Sequence, residues 1–341
     1  MTVLFPPCRV WLMIVAAVLT AGRADAGATG QPSRTRGAPA MAAGPGNSAS
    51  AVLDAAAQEQ LRAGDFEQVT ALRRRALTMT LAVPGSEAPL AIQAIAALAR
   101  AHIDRRRWLD AEPLLIVAAG MLPDGEPGGL GAAIYAGLAR VALARGDADA
   151  ALAWARRAVE CGHSDPRQVS AEPLRVLGAA LAVLKRFEEA RRTLDKAVAL
   201  DLGRHGPAAA ETARSLSQLG NLYLRWDRPM DALPPLQEAA AIDQARLGPA
   251  HPFIADDLHD LGLAYEALNR PEPARRLLLA AVAILARGTE RNTPRVAYCE
   301  LALSRVERQL GHAAAADAAQ REASRILDDA EAEERRRERR A

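Results

Sequence analysis

Three consecutive residues, His163, Ser164 and Asp165, combine the side-chain types of a hydrolase triad. In a triad the base, the nucleophile and the orienting acid converge on one point from different directions, which adjacent residues of one chain cannot do. Gly162 before them and Pro166 after them indicate a loop, and no nucleophile-elbow motif surrounds the serine. A hydrolase that uses scattered His and Asp side chains is therefore the third and last hypothesis for function.

A second group with possible chemistry consists of His251, Asp256 and His259. Asp256 and His259 share one face of a helix at this spacing, whereas His251 precedes Pro252 at the expected helix start, more than a turn away. This spacing is poor for metal ligation, and the six histidines of the chain are scattered. The Gly-rich segment 124–131 lacks the Lys-Ser/Thr ending of a phosphate loop. The sequence thus predicts no metal, cofactor, small-molecule substrate or enzymatic activity.

The first 26 residues have the features of a secretory signal peptide. Arg9 is followed by the apolar run 10–21, and the segment ends in the small-x-small pattern of residues 24–26. The run is shorter than the ~20 residues that a membrane span needs. We therefore expect residues 1–26 to be cleaved and the protein to be exported, as a periplasmic or secreted protein. The alternative is an uncleaved membrane anchor, with the rest of the protein facing the periplasm.

Composition favours an all-helical protein. Half of the 341 residues are apolar but only 4% are aromatic, and roughly a quarter of the chain is Ala, the strongest helix former. Lys and Arg number 43 against 41 Asp and Glu, a net charge of +2, so the sequence predicts no nucleic-acid partner. Segment 27–50, rich in Gly, Pro, Ala and Ser, is expected to be a flexible linker.

A helical hairpin recurs along the rest of the chain. The segment that begins "LGLAYEALNRPEPARRLLLAAVAIL" at Leu261 returns 42 residues upstream, at Leu219, as "LGNLYLRWDRPMDALPPLQEAAAI". A hairpin cannot cover its own apolar face, so repetition at a fixed spacing indicates a stack. With Leu261 as position 7, seven registers follow. Position 7 holds Ala56, Leu98, Leu138, Leu177, Leu219, Leu261 and Leu303; position 8 holds Ala57, Ala99, Ala139, Gly178, Gly220, Gly262 and Ser304. Position 20 holds Val69, Ala111, Ala151, Ala190, Ala232, Ala274 and Ala316; position 27 holds Ala76, Ala118, Ala158, Ala197, Ala239, Ala281 and Ala323.

These positions fit two packed helices and a turn. Small residues at positions 8 and 20 let the two helices of a hairpin approach closely, and Ala at position 27 leaves room for the next hairpin. Position 15 is Gly or Asn in four of seven copies, which favours a left-handed helix end there. Pro271 then suits the first turn of a second helix.

The two cysteines that follow the signal peptide, Cys161 and Cys299, lie more than three repeats apart. This distance is beyond the ~7 Å Cα separation of a disulfide, so we expect two buried thiols.

Prolines and the C-terminal residues refine the helix boundaries. Pro113, Pro234 and Pro235 fall where a second helix should already be running, so these helices either start late, with Asp110 and Asp231 as N-caps, or are kinked. We expect the late start, because each Asp lies three residues before a Pro and is a good cap. The last second helix is expected to continue past Arg325 with a charged surface that caps the stack. The predicted solenoid covers residues 51–330, and a charged helical tail covers residues 331–341.

The pattern resembles the tetratricopeptide repeat (TPR) family, whose signature is Leu-Gly at positions 7 and 8, Tyr at position 11, and Ala at positions 20 and 27. Tyr223 and Tyr265 supply position 11, and the 42-residue length with the lead-in from Leu247 to Gly262 is similar to the repeats of kinesin light chains. The TPR tryptophan is absent, and position 11 differs in five copies, with His102 in the second. The resemblance implies an all-α, TPR-type α-solenoid, a right-handed superhelix of about seven helix-turn-helix repeats.

In the TPR family, positions 2, 5, 9 and 12 of the first helices line a concave groove that binds proteins or extended peptides. Carried over, these positions are Glu172, Arg175, Arg214, Ser217, Asn221, Asp256, His259, Leu263, Glu266, Tyr298, Arg305 and Arg308. Only Asn221 matches the family's peptide-carboxylate clamp, so a receptor for C-terminal carboxylates is not predicted. The leading hypothesis is an exported, non-enzymatic scaffold or adaptor that binds a protein or peptide in this groove. The second is a membrane-tethered envelope assembly factor held by an uncleaved N-terminal anchor.

Overall fold

The structure is a computed structural model that describes residues 47–82, 88–123, 128–162, 170–287 and 293–338. These residues form fourteen α-helices and contain no strand, which confirms the predicted all-α fold. The helices are α1 Asn47–Ala63, α2 Phe66–Ala82, α3 Ala88–Asp104, α4 Trp108–Gly120, α5 Gly128–Ala144, α6 Ala148–Gly162, α7 Glu172–Val183, α8 Phe187–His205, α9 Ala210–Arg225, α10 Pro229–Leu247, α11 Pro252–Ala267, α12 Pro271–Arg287, α13 Pro294–Gln309 and α14 Ala313–Glu338.

The helices form seven hairpins in the predicted register. Odd-numbered helices are the first helices of the hairpins and even-numbered helices are the second helices. Every second helix begins at position 17 of its repeat, two residues after the left-handed turn position, and α12 begins at Pro271 as expected. The helix-turn-helix repeats predicted from the Leu and Ala spacing are therefore confirmed.

The chain divides into two compact units. Residues 47–61 and 66–123 form the first unit, which contains nearly all of α1 to α4 and a buried cluster of Ala57, Val69 and Ala101. Residues 62–65 and 128–338 form the second unit. Within this second unit, each first helix contacts the first helix of the next hairpin, from α5 through α7, α9 and α11 to α13. The first helices of the second unit thus make one continuous layer.

The small residues of the repeat lie where helices approach most closely. All seven residues at position 20 and all seven at position 27 are at most 1% exposed. In α9, a Cβ added to Gly220 would lie 2.4 Å from Cγ of Leu236 in α10. The equivalent leucines of the neighbouring hairpins, Leu194 and Leu278, lie in the same way against Gly178 and Gly262. In these three hairpins position 8 is therefore glycine, because the leucine at position 24 of the repeat occupies the space of the missing side chain.

The turn inside each hairpin ends the first helix in the left-handed conformation. All seven residues at position 15 have φ between 55° and 80°, namely Gly64, Arg106, Gly146, Lys185, Asp227, Asn269 and Gly311. In the fifth hairpin the Arg228 N–H donates to the Tyr223 carbonyl at 2.9 Å. This is the 6→1 hydrogen bond that defines a Schellman motif. The sequence predicted this conformation for Gly and Asn, and the structure extends it to Arg106, Lys185 and Asp227. Closure of the hairpin imposes the turn even where the residue type disfavours it.

The predicted late start of two second helices is wrong. Helix α4 begins at Trp108 and contains Pro113, and helix α10 begins at Pro229 and contains Pro234 and Pro235. The N-cap residues are those at position 16, Arg107 and Arg228, so Asp110 and Asp231 lie in the first turns instead. The physical reason is that the Schellman turn fixes the helix start and the alanines at position 20 are fully buried against the first helix. This packing outweighs the hydrogen bonds that the prolines remove.

The first and last helices can be compared with the boundaries predicted from the sequence. Helix α1 begins at Asn47, so the last four residues of the predicted linker are helical. Helix α14 continues past Arg325, as predicted, and runs without a break through residue 330 to Glu338. The predicted signal peptide, the rest of the linker and the His163–Asp165 group lie outside the described residues. None of the helices that the structure describes is long and apolar enough to cross a membrane.

We predict that Gly220→Ala destabilises the protein although Ala favours helices. The added methyl group overlaps Leu236, and overpacking of this kind costs about 1–3 kcal/mol, which exceeds the gain of about 1 kcal/mol in helix propensity. Chemical denaturation measures the change in the free energy of unfolding. Gly203→Ala in α8 is the matched control, because a Cβ at Gly203 meets nothing within 4 Å, and it should stabilise the protein. Equal stabilisation by both substitutions would contradict the packing role of Gly220.

Candidate partner-binding face

The residues predicted to line the groove lie on four first helices that follow one another in the layer: α7, α9, α11 and α13. We call the side of this layer that bears them the first-helix face. The residues differ strongly in exposure. Arg175 is buried; Glu172, Ser217, Asn221, Asp256, His259, Leu263 and Glu266 are partly exposed; Arg214, Tyr298, Arg305 and Arg308 are exposed.

Several of these residues bind one another across adjacent hairpins. Arg305 of α13 donates from Nε and Nη2 to the two carboxylate oxygens of Glu266 in α11, at 2.7 and 2.8 Å. Arg295 of α13 makes a similar two-point ion pair with Asp256 of α11. Such bidentate pairs have a narrow geometry, so they fix the register of one hairpin on the next.

One hairpin earlier, an amide side chain makes a similar contact between first helices. Asn221 of α9 donates from Nδ2 to Oδ2 of Asp260 in α11 at 2.7 Å. The other oxygen of Asp260 lies 3.3 Å from Nδ1 of His259. Four of the predicted groove residues on α11 and α13 and one on α9 are thus engaged within the chain, and their first contribution is to brace the layer.

A buried polar cluster connects α7, α8 and α9. The Arg175 guanidinium donates to Oδ2 of Asp201 at 2.8 Å and to Oγ of Ser215 at 3.3 Å, and the Ser215 hydroxyl donates to the same Asp201 oxygen at 2.6 Å. A second nitrogen of Arg175 is 2.5 Å from Glu172, which also lies 3.6 Å from Arg140 of α5. A buried charge is tolerated only when it is paired and hydrogen-bonded, and each charge here meets this condition.

Three residues of the first-helix face are exposed to solvent. The Arg214 side chain is 45% exposed and lies 3.6 Å from Glu211 one turn earlier, while the Arg308 side chain is 54% exposed and 4.0 Å from Asp317. Tyr298 is 44% exposed. Exposed ion pairs of this length contribute about 1 kcal/mol at most, so these arginines are available to exchange partners.

A second polar cluster joins the predicted groove residue Ser217 to Asp243 and Asp257, which were not predicted from the sequence. Asp257 of α11 is only 7% exposed, and its Oδ2 has no hydrogen-bond partner among the described residues. Burial, followed by the nearby carboxylates of Asp243, Asp260 and Asp256, raises the pKa of Asp257 to about 8, and a hydrogen bond from Ser217 opposes this rise. Burial also raises the pKa of Asp243 in α10.

The candidate metal ligands do not come together as a site. His251 is the N-cap of α11, and its Nδ1 accepts a hydrogen bond from the Phe253 N–H at 3.2 Å. Asp256 is engaged by Arg295, and His259 lies beside Asp260. Within the described residues, no group of three or more His, Cys, Asp and Glu side chains is arranged to hold a metal ion. These polar residues instead cap a helix and join neighbouring hairpins.

The two cysteines of the described chain are both buried thiols, as predicted, and no disulfide joins them. Burial is the main cause that raises the pKa of Cys299 to about 12 and also raises the pKa of Cys161. A thiol with a raised pKa holds little thiolate, which is the reactive form. Both cysteines therefore serve as small apolar residues in the packing.

Asp201, Asp243 and Asp257 were not predicted as site residues because they lie outside the groove positions of the TPR family. Asp201 and Asp243 both occupy position 31, on the second helix, and Asp257 occupies position 3 of the following repeat. The sequence signal that could have indicated them is an acidic residue at a repeat position that faces the next hairpin. Whether such a residue matters depends on its burial, which the repeat register alone does not give.

We predict that Asp257 makes stability fall as the pH rises from about 4 to about 8. Below the ordinary pKa of 3.8 the carboxyl is protonated in both the folded and the unfolded chain, whereas above it only the folded chain keeps the proton, up to a pKa of about 8. The slope from one such group is at most about 1.4 kcal/mol per pH unit. Urea denaturation of the wild type and of Asp257→Asn across this range should show that the variant gains relative stability as the pH rises.

The control for this measurement is Asp328→Asn, which changes an exposed carboxyl on α14. Its free energy of unfolding should follow the wild-type pH dependence. If the curve of Asp257→Asn also runs parallel to that of the wild type, Asp257 does not retain its proton in the folded protein.

Comparison with known proteins agrees with this architecture. Residues 170–245, which include the fourth and fifth hairpins, match the tetratricopeptide repeat family model. A comparison with curated protein sequences gives no match. Among solved structures, a Rap protein complexed with Competence and Sporulation Factor has a TM-score of 0.60 at 16% identity, over 84% of this chain and 79% of that chain.

Two further solved structures are also similar. A putative kinesin light chain from Podosopora anserina, with nearly identical TPR-like repeats, has a TM-score of 0.46 at 21% identity, over 58% of this chain and 94% of that chain. BtubC (BKLC) from P. vanneervenii has a TM-score of 0.49 at 18% identity, over 71% of this chain and 92% of that chain. With the family match and the Rap structure, the fold is established: the chain is a TPR-type α-solenoid of helical hairpins.

Proposed function

We propose that this protein is a scaffold or adaptor that binds an extended peptide or a segment of a partner protein along the first-helix face. The TPR fold is of a non-catalytic scaffold type that typically mediates protein–protein interactions. The observation that carries the proposal is the division of labour on this face, where ion pairs brace the layer and Arg214, Tyr298 and Arg308 remain exposed. The partner we propose is a protein or peptide.

The braced layer suits an extended partner because it reduces the entropy that binding costs. A partner gains affinity when the surface that receives it is already ordered. The pairs Glu266–Arg305 and Asp256–Arg295 and the Asn221–Asp260 hydrogen bond order three successive first helices before any partner arrives. An extended chain can cross these helices in turn and meet one set of side chains on each.

The exposed residues suit a polar partner with an apolar or aromatic anchor. Tyr and Arg are enriched among the residues that contribute most to protein interfaces, because each combines a large contact area with directed hydrogen bonds. Arg214 lies on α9, whereas Tyr298 and Arg308 lie on α13, so a segment that touches all three crosses α11. At the level of the fold, the Rap structure supports this reading, since it is a complex with Competence and Sporulation Factor.

We expect that replacing Arg214→Glu, Tyr298→Ala and Arg308→Glu together weakens partner binding at least tenfold, because each removes an exposed contact without disturbing the braces. Affinity purification from the envelope fraction followed by mass spectrometry identifies the partner, and titration measures its affinity. The matched control carries Arg192→Glu, Lys196→Glu and Met230→Ala, all exposed residues on second helices. If the partner binds both triple variants equally, the first-helix face is not its binding site.

The proposed location is outside the cytoplasm, as a periplasmic or secreted protein. The support is the signal-peptide pattern of residues 1–26. The alternative is a membrane-tethered envelope assembly factor, which the same apolar run, residues 10–21, would anchor if it were not cleaved. In that case segment 27–50 would separate the solenoid from the membrane.

N-terminal sequencing of the mature protein distinguishes the two locations. We expect the first residue to be Gly27, because the small-x-small pattern ends at Ala26. A chain that keeps residues 10–21 and sediments with membranes would establish the tethered form instead. Fractionation of a variant with Ala24→Leu and Ala26→Leu, which removes the cleavage pattern, is the control and should retain the protein at the membrane.

A further inference from the structure

Three successive junctions between hairpins place equivalent residues together, and they differ in charge. Each junction combines position 5 of a first helix, position 31 of its second helix and position 3 of the next first helix. The first junction holds Arg175, Asp201 and Ser215; the second holds Ser217, Asp243 and Asp257; the third holds His259, Leu285 and Cys299.

The first junction is complete in itself. Arg175, Asp201 and Ser215 are at most 6% exposed, and the guanidinium at position 5 donates to the carboxylate at position 31 and to the hydroxyl at position 3. The first junction thus shows that a guanidinium fits between these positions when a carboxylate pairs with it. In the third junction the positions equivalent to Asp201 and Ser215 hold Leu285 and Cys299, which are buried and apolar, so that junction has no carboxylate to neutralise.

The second junction has the carboxylates without the guanidinium. Asp243 and Asp257 occupy positions 31 and 3, and position 5 is Ser217, which hydrogen-bonds Asp257. Oδ2 of Asp257 is buried without a hydrogen-bond partner among the described residues. The nearby carboxylate of Asp243 disfavours a charge on Asp257, and a buried acceptor without a hydrogen-bond donor is unfavourable. This junction therefore lacks the cation that its neighbour contains.

The charges around the second junction act differently on its two carboxyl groups. Arg214 and Arg246 lower the pKa of Asp243, against the effects of burial and Glu211, whereas the main charges that act on Asp257 are the carboxylates of Asp243, Asp260 and Asp256, which raise its pKa. Asp256 and Asp260 add negative charge beside Asp257, although Arg295 and Asn221 bind them. Ser217 and Asp243 are both partly exposed, so the second junction borders solvent on their side.

We propose that the second junction is a binding site for an arginine side chain of the partner, whose guanidinium takes between Asp243 and Asp257 the place that Arg175 takes in the first junction. The inference rests on the proposed function, because it names a chemical feature of the segment bound at the first-helix face. Guanidinium is preferred to ammonium because its planar donors bind two carboxylates at once and it is more weakly hydrated. The site accounts for a buried charge pattern that the fold alone does not require.

The first test uses two small probes and the full chain. N-acetyl-arginine methylamide carries the guanidinium, and N-acetyl-citrulline methylamide has the same shape without the charge. Titration followed by NMR should show that the arginine probe binds more tightly than the citrulline probe. Asp257→Asn should weaken the arginine probe about 10- to 100-fold, and Asp328→Asn should leave it unchanged. Ser217→Arg, which supplies a guanidinium from the chain itself, should abolish binding.

The pH dependence of the arginine probe gives an independent readout. Its affinity should rise as the pH is raised from about 6 to about 9, because Asp257 loses its proton while guanidinium stays charged. Equal binding of the two probes to the wild type overturns the proposal without reference to any variant. A pH profile that is the same in Asp257→Asn also overturns it, since Asp257 would then not be the ligand.

A random peptide library separates this inference from the proposed function. Peptides captured by the wild type should be enriched in Arg, and Ser217→Arg should capture peptides without that enrichment. Captured peptides with no enrichment, together with equal binding of the two probes, would overturn the arginine site and leave the scaffold function standing. Binding of the arginine probe without capture of any peptide would overturn the scaffold function and leave the arginine site standing.

Discussion

The fold depends on the close approach of helices at positions that hold small residues. At positions 8, 20 and 27 the residues are small, and those at 20 and 27 are at most 1% exposed in every hairpin. In the fourth, fifth and sixth hairpins a glycine at position 8 faces a leucine at position 24, as Gly220 faces Leu236. Dense packing of this kind tolerates neither a void nor an overlap. It fixes each hairpin with very few aromatic residues.

Polar contacts then decide how one hairpin sits on the next. Apolar packing is non-directional, so a stack of similar Ala-rich surfaces needs additional contacts to select one register. The bidentate pair Glu266–Arg305 and the buried cluster around Arg175 supply that direction because their hydrogen bonds have a fixed geometry. These contacts join neighbouring first helices and so hold the layer in one arrangement. The junction at Asp257 differs from the one at Arg175, because a buried carboxylate oxygen of Asp257 has no hydrogen-bond partner among the described residues.

Most of the fold was predictable from the sequence because repeat packing is local and periodic. The spacing of Leu and Ala located all seven hairpins, and Gly or Asn at position 15 located four of the seven turns. The left-handed turns at Arg106 and Lys185 were not predictable from residue type, because hairpin closure imposes them. The same closure places Pro113 and Pro234 inside helices, where local propensity argues against them. Propensity is a weak preference that tertiary packing overrides.

The sequence by itself determined the all-helical class, the hairpin register and the layer on which the face lies, because each follows from spacing along a helix. Only the tertiary structure decided which polar residues of that face are available. Arg175 and Arg214 look alike in the sequence, yet the first is buried against Asp201 and the second is exposed. The structure alone also showed that Asp257 is buried with one carboxylate oxygen unpaired among the described residues, since that depends on residues from three helices. Burial and pairing are properties of the assembled junction, and no single repeat contains them.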